Sequence, residues 1–301
     1  AIEHNGEAIA RSLAGPGFFL VRLDAAVSAE LVHLRTLATS FFALAESAKR
    51  KVGERSAHSG GVGGEGIGYR AQPEHESEFL ETFLHTANGL VHPPIAAPAG
   101  LDAAAGCVHR SLSRLGRRIL AVLATHLRLP QEALIDHPLA LFDDDTGEAG
   151  DTDQAGAAGE PDAAATSSSL LRICHYDPPS AETVVASDSD PDGVDVLFPE
   201  HADSTLLTLS PIFADTPGLQ LKQSNGTFLD VERLPSAQPE PQLGNAQPFY
   251  CVEVHAGDYL GILSRGLVGA LRHRVVRRRA TGGAGGRVSC PLLLRPRDAW
   301  R

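Results

Sequence analysis

The sequence lacks several things that would have decided its class at once. Four cysteines are spread through 301 residues, at 107, 174, 251 and 290, with no CxxC pair among them. That spacing excludes a zinc knuckle and a redox dithiol and leaves free, mostly buried thiols as the plain reading. No apolar run approaches the ~20 residues a bilayer span requires, so no membrane partner is expected. The first residues, AIEHNGEAIARSLAGPGFFLV, lack a basic start followed by an apolar core, and the cytoplasm is the default expectation. Methionine is absent, and no inference about the fold follows from that.

Positive charge is scarce overall, with a net charge of −11, which argues against general nucleic-acid binding. It is also unevenly placed. From Arg265 to the end there are ten arginines and a single acid, Asp298, while much of the negative charge lies in residues 143–203. Without interleaved aromatics, the basic tail reads as a solvated face plus one or two arginines that bind a small anion.

What is present divides the chain by texture. GPGFFLVRL, residues 15–23, is a turn feeding a first strand. From Ser28, a plausible cap, Leu31, Leu34, Ala38, Phe41, Phe42 and Ala45 recur at three and four and predict a helix. Val108, Leu112, Leu115, Ile119, Val122 and Leu123 predict a second between about 101 and 128, and LPQEALID opens a short helix after Pro130. EFLETFLH, residues 78–85, has no decisive period. Residues 1–142 therefore read as a mostly helical region packing on a core. HSGGVGGEGIGYR, residues 58–70, has glycines but no preceding strand and no following Lys-Ser/Thr, which makes it a surface loop rather than a phosphate cradle.

Residues 143–169 are acidic, rich in small residues and nearly devoid of bulky apolar side chains. Such a segment buries too little surface to offset its ordering entropy and reads as a flexible insert. DDD lacks the alternating oxygen ligands and closing glutamate of a calcium loop. From residue 170 to 301 short strands alternate with turns, predicting a β-sandwich or barrel. The fold class expected is mainly β with supporting helices, in one integrated domain and as a monomer.

HADSTLLTL, residues 201–209, raises the question of chemistry. Residues two apart on a strand share a face, so His201 and Asp203 would project together. They are either two polar residues at a strand's solvated start or two ligands awaiting a third. His273, in LRHRVV, is the best third candidate, because a sheet can fold back over about seventy residues to place it opposite. His255, in VEVHAGDY, is the rival, read more readily as an ordinary strand residue. Two imidazoles and one carboxylate on one face of an octahedron leave three positions open, which suits non-haem Fe(II), although zinc accepts the same donors. Arg287 and Ser289 form another i, i+2 pair that could hold a carboxylate. Taken alone, a surface arginine beside a strand serine is the simpler account.

HAD followed by LLTL, then GLQL, GDYLGILSRG, HRVV and RVS occur in the order and approximate spacing of the iron- and 2-oxoglutarate-dependent dioxygenases, isopenicillin N synthase-like class. GFFLV, FFALAESAKRK, GYR and ETF resemble that family's N-terminal region. The resemblance implies a double-stranded β-helix (jelly roll) core and Fe(II) held by His201, Asp203 and His273. It implies 2-oxoglutarate bound through Arg287 and Ser289, O2 as co-reactant and a small-molecule substrate. Tyr176, in LRICHYDPP, matches a family tyrosine that touches the cosubstrate. Cys174 stands in place of the usual asparagine, His175 in place of the first tyrosine, and Asp177 is inserted before the prolines. Hydroxylation, desaturation and cyclisation are all compatible outcomes. Two alternatives stay open: an isopenicillin N synthase-like oxidase that uses no 2-oxoglutarate, and a non-catalytic jelly-roll metal- or ligand-binding protein.

Overall fold

A computed structural model describes residues 5–52, 68–85, 89–91, 95, 98–129, 166–178, 194–238, 250–278 and 286–296. Two antiparallel sheets form its centre. The larger contains β1 (Phe18–Arg22), β2 (Gly68–Gln72), β3 (Ser77–His85), β4 (Gly89–Val91), β5 (Thr166–Tyr176), β7 (Leu207–Pro211), β10 (Cys251–Ala256), β12 (Arg287–Ser289) and β13 (Leu292–Leu294). The smaller runs β6 (Val194–His201), β11 (His273–Arg278), β8 (Leu219–Lys222), β9 (Phe228–Asp230) in that spatial order. The helices are α1 (Gly6–Ala14), α2 (Ala25–Phe42), α3 (Glu46–Arg50), α4 (Leu101–Leu127) and α5 (Asp258–Leu263). None of the described helices is long and apolar enough to cross a membrane.

The two helical stripes behave as their spacing predicts. Leu31, Leu34, Ala38, Phe41 and Phe42 of α2 are buried, as are Val108, Leu112, Ile119 and Leu123 of α4, and they share one core with Leu209, Val254 and Leu292 of the large sheet. Gly116 marks how closely α4 lies on that sheet, since a Cβ there would come within 2.9 Å of Leu294 Cδ2. The cap differs from expectation. Asp24, not Ser28, closes the start of α2 by accepting the Val27 N–H at 2.9 Å. Ser28 is buried inside the first turn, where its hydroxyl accepts the Tyr250 N–H and ties the helix to the chain entering β10. An aspartate one residue before a helix outcompetes a serine four residues on because only the residue at the boundary reaches the bare N–H groups.

The largest departure is at EFLETFLH. It forms most of β3, which pairs with β2 on one side and along most of β5 on the other. Leu80, Glu81 and Thr82 are all fully buried, and Arg172 Nε reaches Glu81 at 2.6 Å. A strand covered on both faces has no alternation to read, and a buried acid satisfied from a neighbouring strand hides it further. The helix-rich N-terminal region thus also supplies β1–β4 to the large sheet. At the other boundary, β5 begins at Thr166, four residues before the 170 limit of the expected insert. GDYLGILSRG contains the short helix α5. The stretch LPQEALID and the rest of the expected insert, 143–165, lie outside the described residues, apart from Leu129 at the start of the former, as does the glycine-rich loop before Gly68.

Leu112 is fully buried on the sheet-facing side of α4. Leu112→Ala should lower stability by about 2–5 kcal/mol through lost transfer energy and an unfilled cavity. Ile262→Ser, at a side chain 71% exposed, should change it by less than about 0.5 kcal/mol. Urea unfolding midpoints of the two variants check this.

Candidate metal and carboxylate site

β6 and β11 are paired so that His201 lies directly across from His273. β6 ends at His201, and the chain then bends through residues 204–206 before entering β7 in the other sheet. His201 and Asp203 therefore straddle a strand's end, not its start. The Asp203 carbonyl accepts the Asp258 N–H at 2.8 Å, which pins the bend to the start of α5. One donor atom from each of His201, Asp203 and His273 lies within 4.8 Å of the others.

The ring orientations fit a metal. His201 Nδ1 is 2.9 Å from the Pro199 carbonyl and His273 Nδ1 is 3.4 Å from that of Leu271. Each Nδ1 thus faces a backbone carbonyl and each Nε2 faces Asp203, 3.5 Å from Oδ1 for His201 and 3.8 Å from Oδ2 for His273. Burial pushes the His273 imidazolium down to about 3, so the ring is a neutral ligand at any ordinary pH. Burial alone would raise Asp203, but His273, His201 and His255 outweigh it and hold the carboxyl well below its usual range. Two imidazoles and a carboxyl held below its usual range make a donor set that suits Fe(II).

His255 lies outside the His201, Asp203 and His273 group, yet it is not an ordinary strand residue. It is fully buried, with Nε2 3.3 Å from Asp203 Oδ2 and Nδ1 2.9 and 3.1 Å from the two oxygens of Glu253. Burial works against its charge, yet Glu253 and Asp203 raise it to about 10. Thr208 donates to the same Oδ2 at 2.6 Å. The only sequence signal for these groups was the i, i+2 spacing of Glu253 and His255 in a strand.

The same cavity is lined by Arg287, Ser289 and Tyr176. β12 runs against β5 with Arg287 opposite Tyr176 and Ser289 opposite Cys174, so these side chains gather on adjacent strands. The Arg287 guanidinium carbon is 5.7 Å from the centre of the Tyr176 ring. Burial raises the Tyr176 phenol well above its ordinary value and pushes the Cys174 thiol up to about 11, so both stay neutral. His175 turns to the other side of β5, stacking on Phe42 and lying 3.7 Å from Asp177. With Glu78 these two make a second group of metal-capable side chains, but the Lys49 ammonium already bonds Glu78. Phe79, Phe198 and Arg172 also line the main cavity. A larger groove between α1, β1 and α4 holds Arg22, Arg114 and Arg118 but none of these residues.

Sequence reasoning had no access to Glu232. It is buried in the 3₁₀ turn Val231–Arg233, accepts the Gly218 and Leu219 N–H groups at 2.5 and 2.9 Å, and takes Arg287 Nη2 at 2.8 Å. Gly218 permits this approach, because a Cβ there would lie 2.9 Å from Arg287 Nε and 2.6 Å from the Val276 carbonyl. Arg287 Nε is buried with no partner among the described residues, a donor left for something else in the cavity.

No protein-family model and no curated protein matches the sequence. Solved structures do. A Caulobacter crescentus protein assigned to the 2OG-Fe(II) oxygenase family superposes with a TM-score of 0.65 at 19% identity, covering 98% of this chain and 83% of that one. The fold is that of the 2OG-Fe(II) oxygenases. A full-length Neurospora crassa protein, solved with alpha-KG and thymine, gives 0.68 at 18% identity over 98% of this chain and 80% of its own. Arabidopsis thaliana dioxygenase for auxin oxidation 1, solved with 2-oxoglutarate, gives 0.65 at 18% over 98% and 89%.

Removing Glu232 should be costly. Glu232→Ala leaves the Arg287 charge and two backbone N–H groups buried without an acceptor, a loss of about 3–5 kcal/mol. Glu232→Gln keeps an oxygen for the backbone and should lose less. Comparing the two by urea denaturation separates the charge pair from the backbone bonds.

Proposed function

We propose that this chain is an Fe(II)- and 2-oxoglutarate-dependent dioxygenase that oxidises a small organic molecule and releases succinate and carbon dioxide. The observation that carries the reading is one cavity lined both by the converging His201, Asp203 and His273 donors and by Arg287 and Ser289. The fold shared with oxygenases solved with 2-oxoglutarate supports it.

In this reading the Nε2 atoms of His201 and His273 and a carboxylate oxygen of Asp203 would hold the ion. When bound, Fe(II) and 2-oxoglutarate together supply oxygen activation coupled to oxidative decarboxylation. Arg287 anchors the distal carboxylate, its unpaired Nε–H adding a charge-assisted hydrogen bond. The Ser289 hydroxyl donates a further bond, and the neutral Tyr176 phenol closes the same end. Glu232 stops the guanidinium from swinging toward the metal, so the anion is held at a fixed depth. Phe79 and Phe198 exclude water beside the ligands, and the buried strands keep the cavity's shape through the cycle.

His201→Ala and Asp203→Ala should each abolish stoichiometric iron binding while circular dichroism stays native. Unchanged metal content would remove the triad from the mechanism. Arg287→Ala should weaken 2-oxoglutarate binding by about 10²–10³-fold, from the loss of roughly 3–4 kcal/mol of charge-assisted bonding, read by calorimetry on the metal-loaded protein. A metabolite screen should find compounds that stimulate succinate release. Oxygen uptake on a true substrate with no succinate would instead establish the oxidase alternative.

A further inference from the structure

We propose that His255 is a positioning residue that fixes the rotation of the Asp203 carboxylate, so that Oδ1 alone is presented to the metal. The inference rests on the reading of His201, Asp203 and His273 as the ligand set. It is carried by how the bonds around Asp203 are distributed.

Oδ2 receives the Thr208 hydroxyl at 2.6 Å and faces His255 Nε2 at 3.3 Å. Oδ1 faces His201 Nε2 at 3.5 Å, while His273 Nε2 lies farther off, 3.8 Å from Oδ2. Two donors on Oδ2 occupy its lone-pair directions and leave those of Oδ1 for the ion. His255 is itself held, because Glu253 sits two residues back on β10 and offers both its oxygens to Nδ1. Glu253 and His255 are both 0% exposed, so water does not compete for either bond. Thr205 backs the second donor, with its hydroxyl 3.1 Å from that of Thr208.

The His255 ring lies close to the ligands, 4.8 Å from that of His273 between centroids. Both of its nitrogens face carboxylates, Nδ1 that of Glu253 and Nε2 that of Asp203. A pair serving only to satisfy a buried glutamate would need no more than the Glu253 contact. The aim of the far nitrogen at a ligand's back oxygen is what a purely structural pair does not require. A freely rotating carboxylate can bind side-on through both oxygens and take a fourth position, leaving two open. Held by one edge, it takes a single position and leaves three.

Cobalt(II) titration of the purified protein, followed by visible absorption and by chelator competition, tests this without turnover. The parent protein should bind Co(II) at one site; failure to do so would dismiss the ligand set itself. His255→Ala should weaken Co(II) about 10–100-fold and change the absorption bands as the coordination number rises. His255→Gln, whose amide nitrogen takes the place of Nε2, returns an N–H toward Oδ2 and should recover most of both. The Glu253→Leu/His255→Leu double variant removes the buried acid together with the ring, which protects folding, and should still bind weakly with altered bands. Parent-like affinity and spectrum in the folded double variant would overturn the proposal.

Discussion

The arrangement depends on keeping one carboxylate ionised inside the protein. Moving a lone carboxylate out of water costs several kcal/mol even after relaxation, and Asp203 is 9% exposed. Groups on four strands surround it: His255 from β10 and the Thr208 hydroxyl from β7 offset that cost, and His201 and His273 face it from the end of β6 and the start of β11. Two of those strands belong to each sheet. The site is therefore also a clasp between the sheets, and the bend after β6 is where the chain crosses from one to the other.

Part of this was legible in the sequence. His201 with Asp203 and Arg287 with Ser289 share the two-residue spacing that places side chains on one face, and the apolar stripes of α2 and α4 keep a helical period. The pairing of His273 with His201 is different in kind, because register across seventy residues is set by the packing of the whole sheet and not by local pattern. β3 was hidden for another reason. Glu78 and Glu81 look like solvated positions, yet Lys49 and Arg172 meet them from a helix and a neighbouring strand. A buried acid reads as an exposed one until its partner is known. Glu232 belongs to the same category, 55 residues from Arg287 in sequence and in hydrogen-bond contact with it in space.

The level of sequence identity to the matching structures, 18–19%, is informative beside this geometry. What the fold requires is that strands cross at fixed distances and that a few polar atoms remain satisfied. His255 and Glu253 show the latitude available: a titratable pair occupies the interior of β10 because each of its polar atoms finds a partner.

The Glu232–Arg287 pair has a consequence for how an anion arrives. Seen from outside the cavity, the guanidinium is cancelled by the carboxylate bonded to it, and the field there is that of a short dipole that decays faster than that of a bare cation. The chain as a whole carries a charge of −11. In the proposed function, an approaching dicarboxylate meets repulsion at long range and the directional donors of Arg287 and Ser289 only once it is inside. Capture is therefore governed by contact rather than by attraction from a distance. Such an entrance discriminates among anions by fit more than by charge.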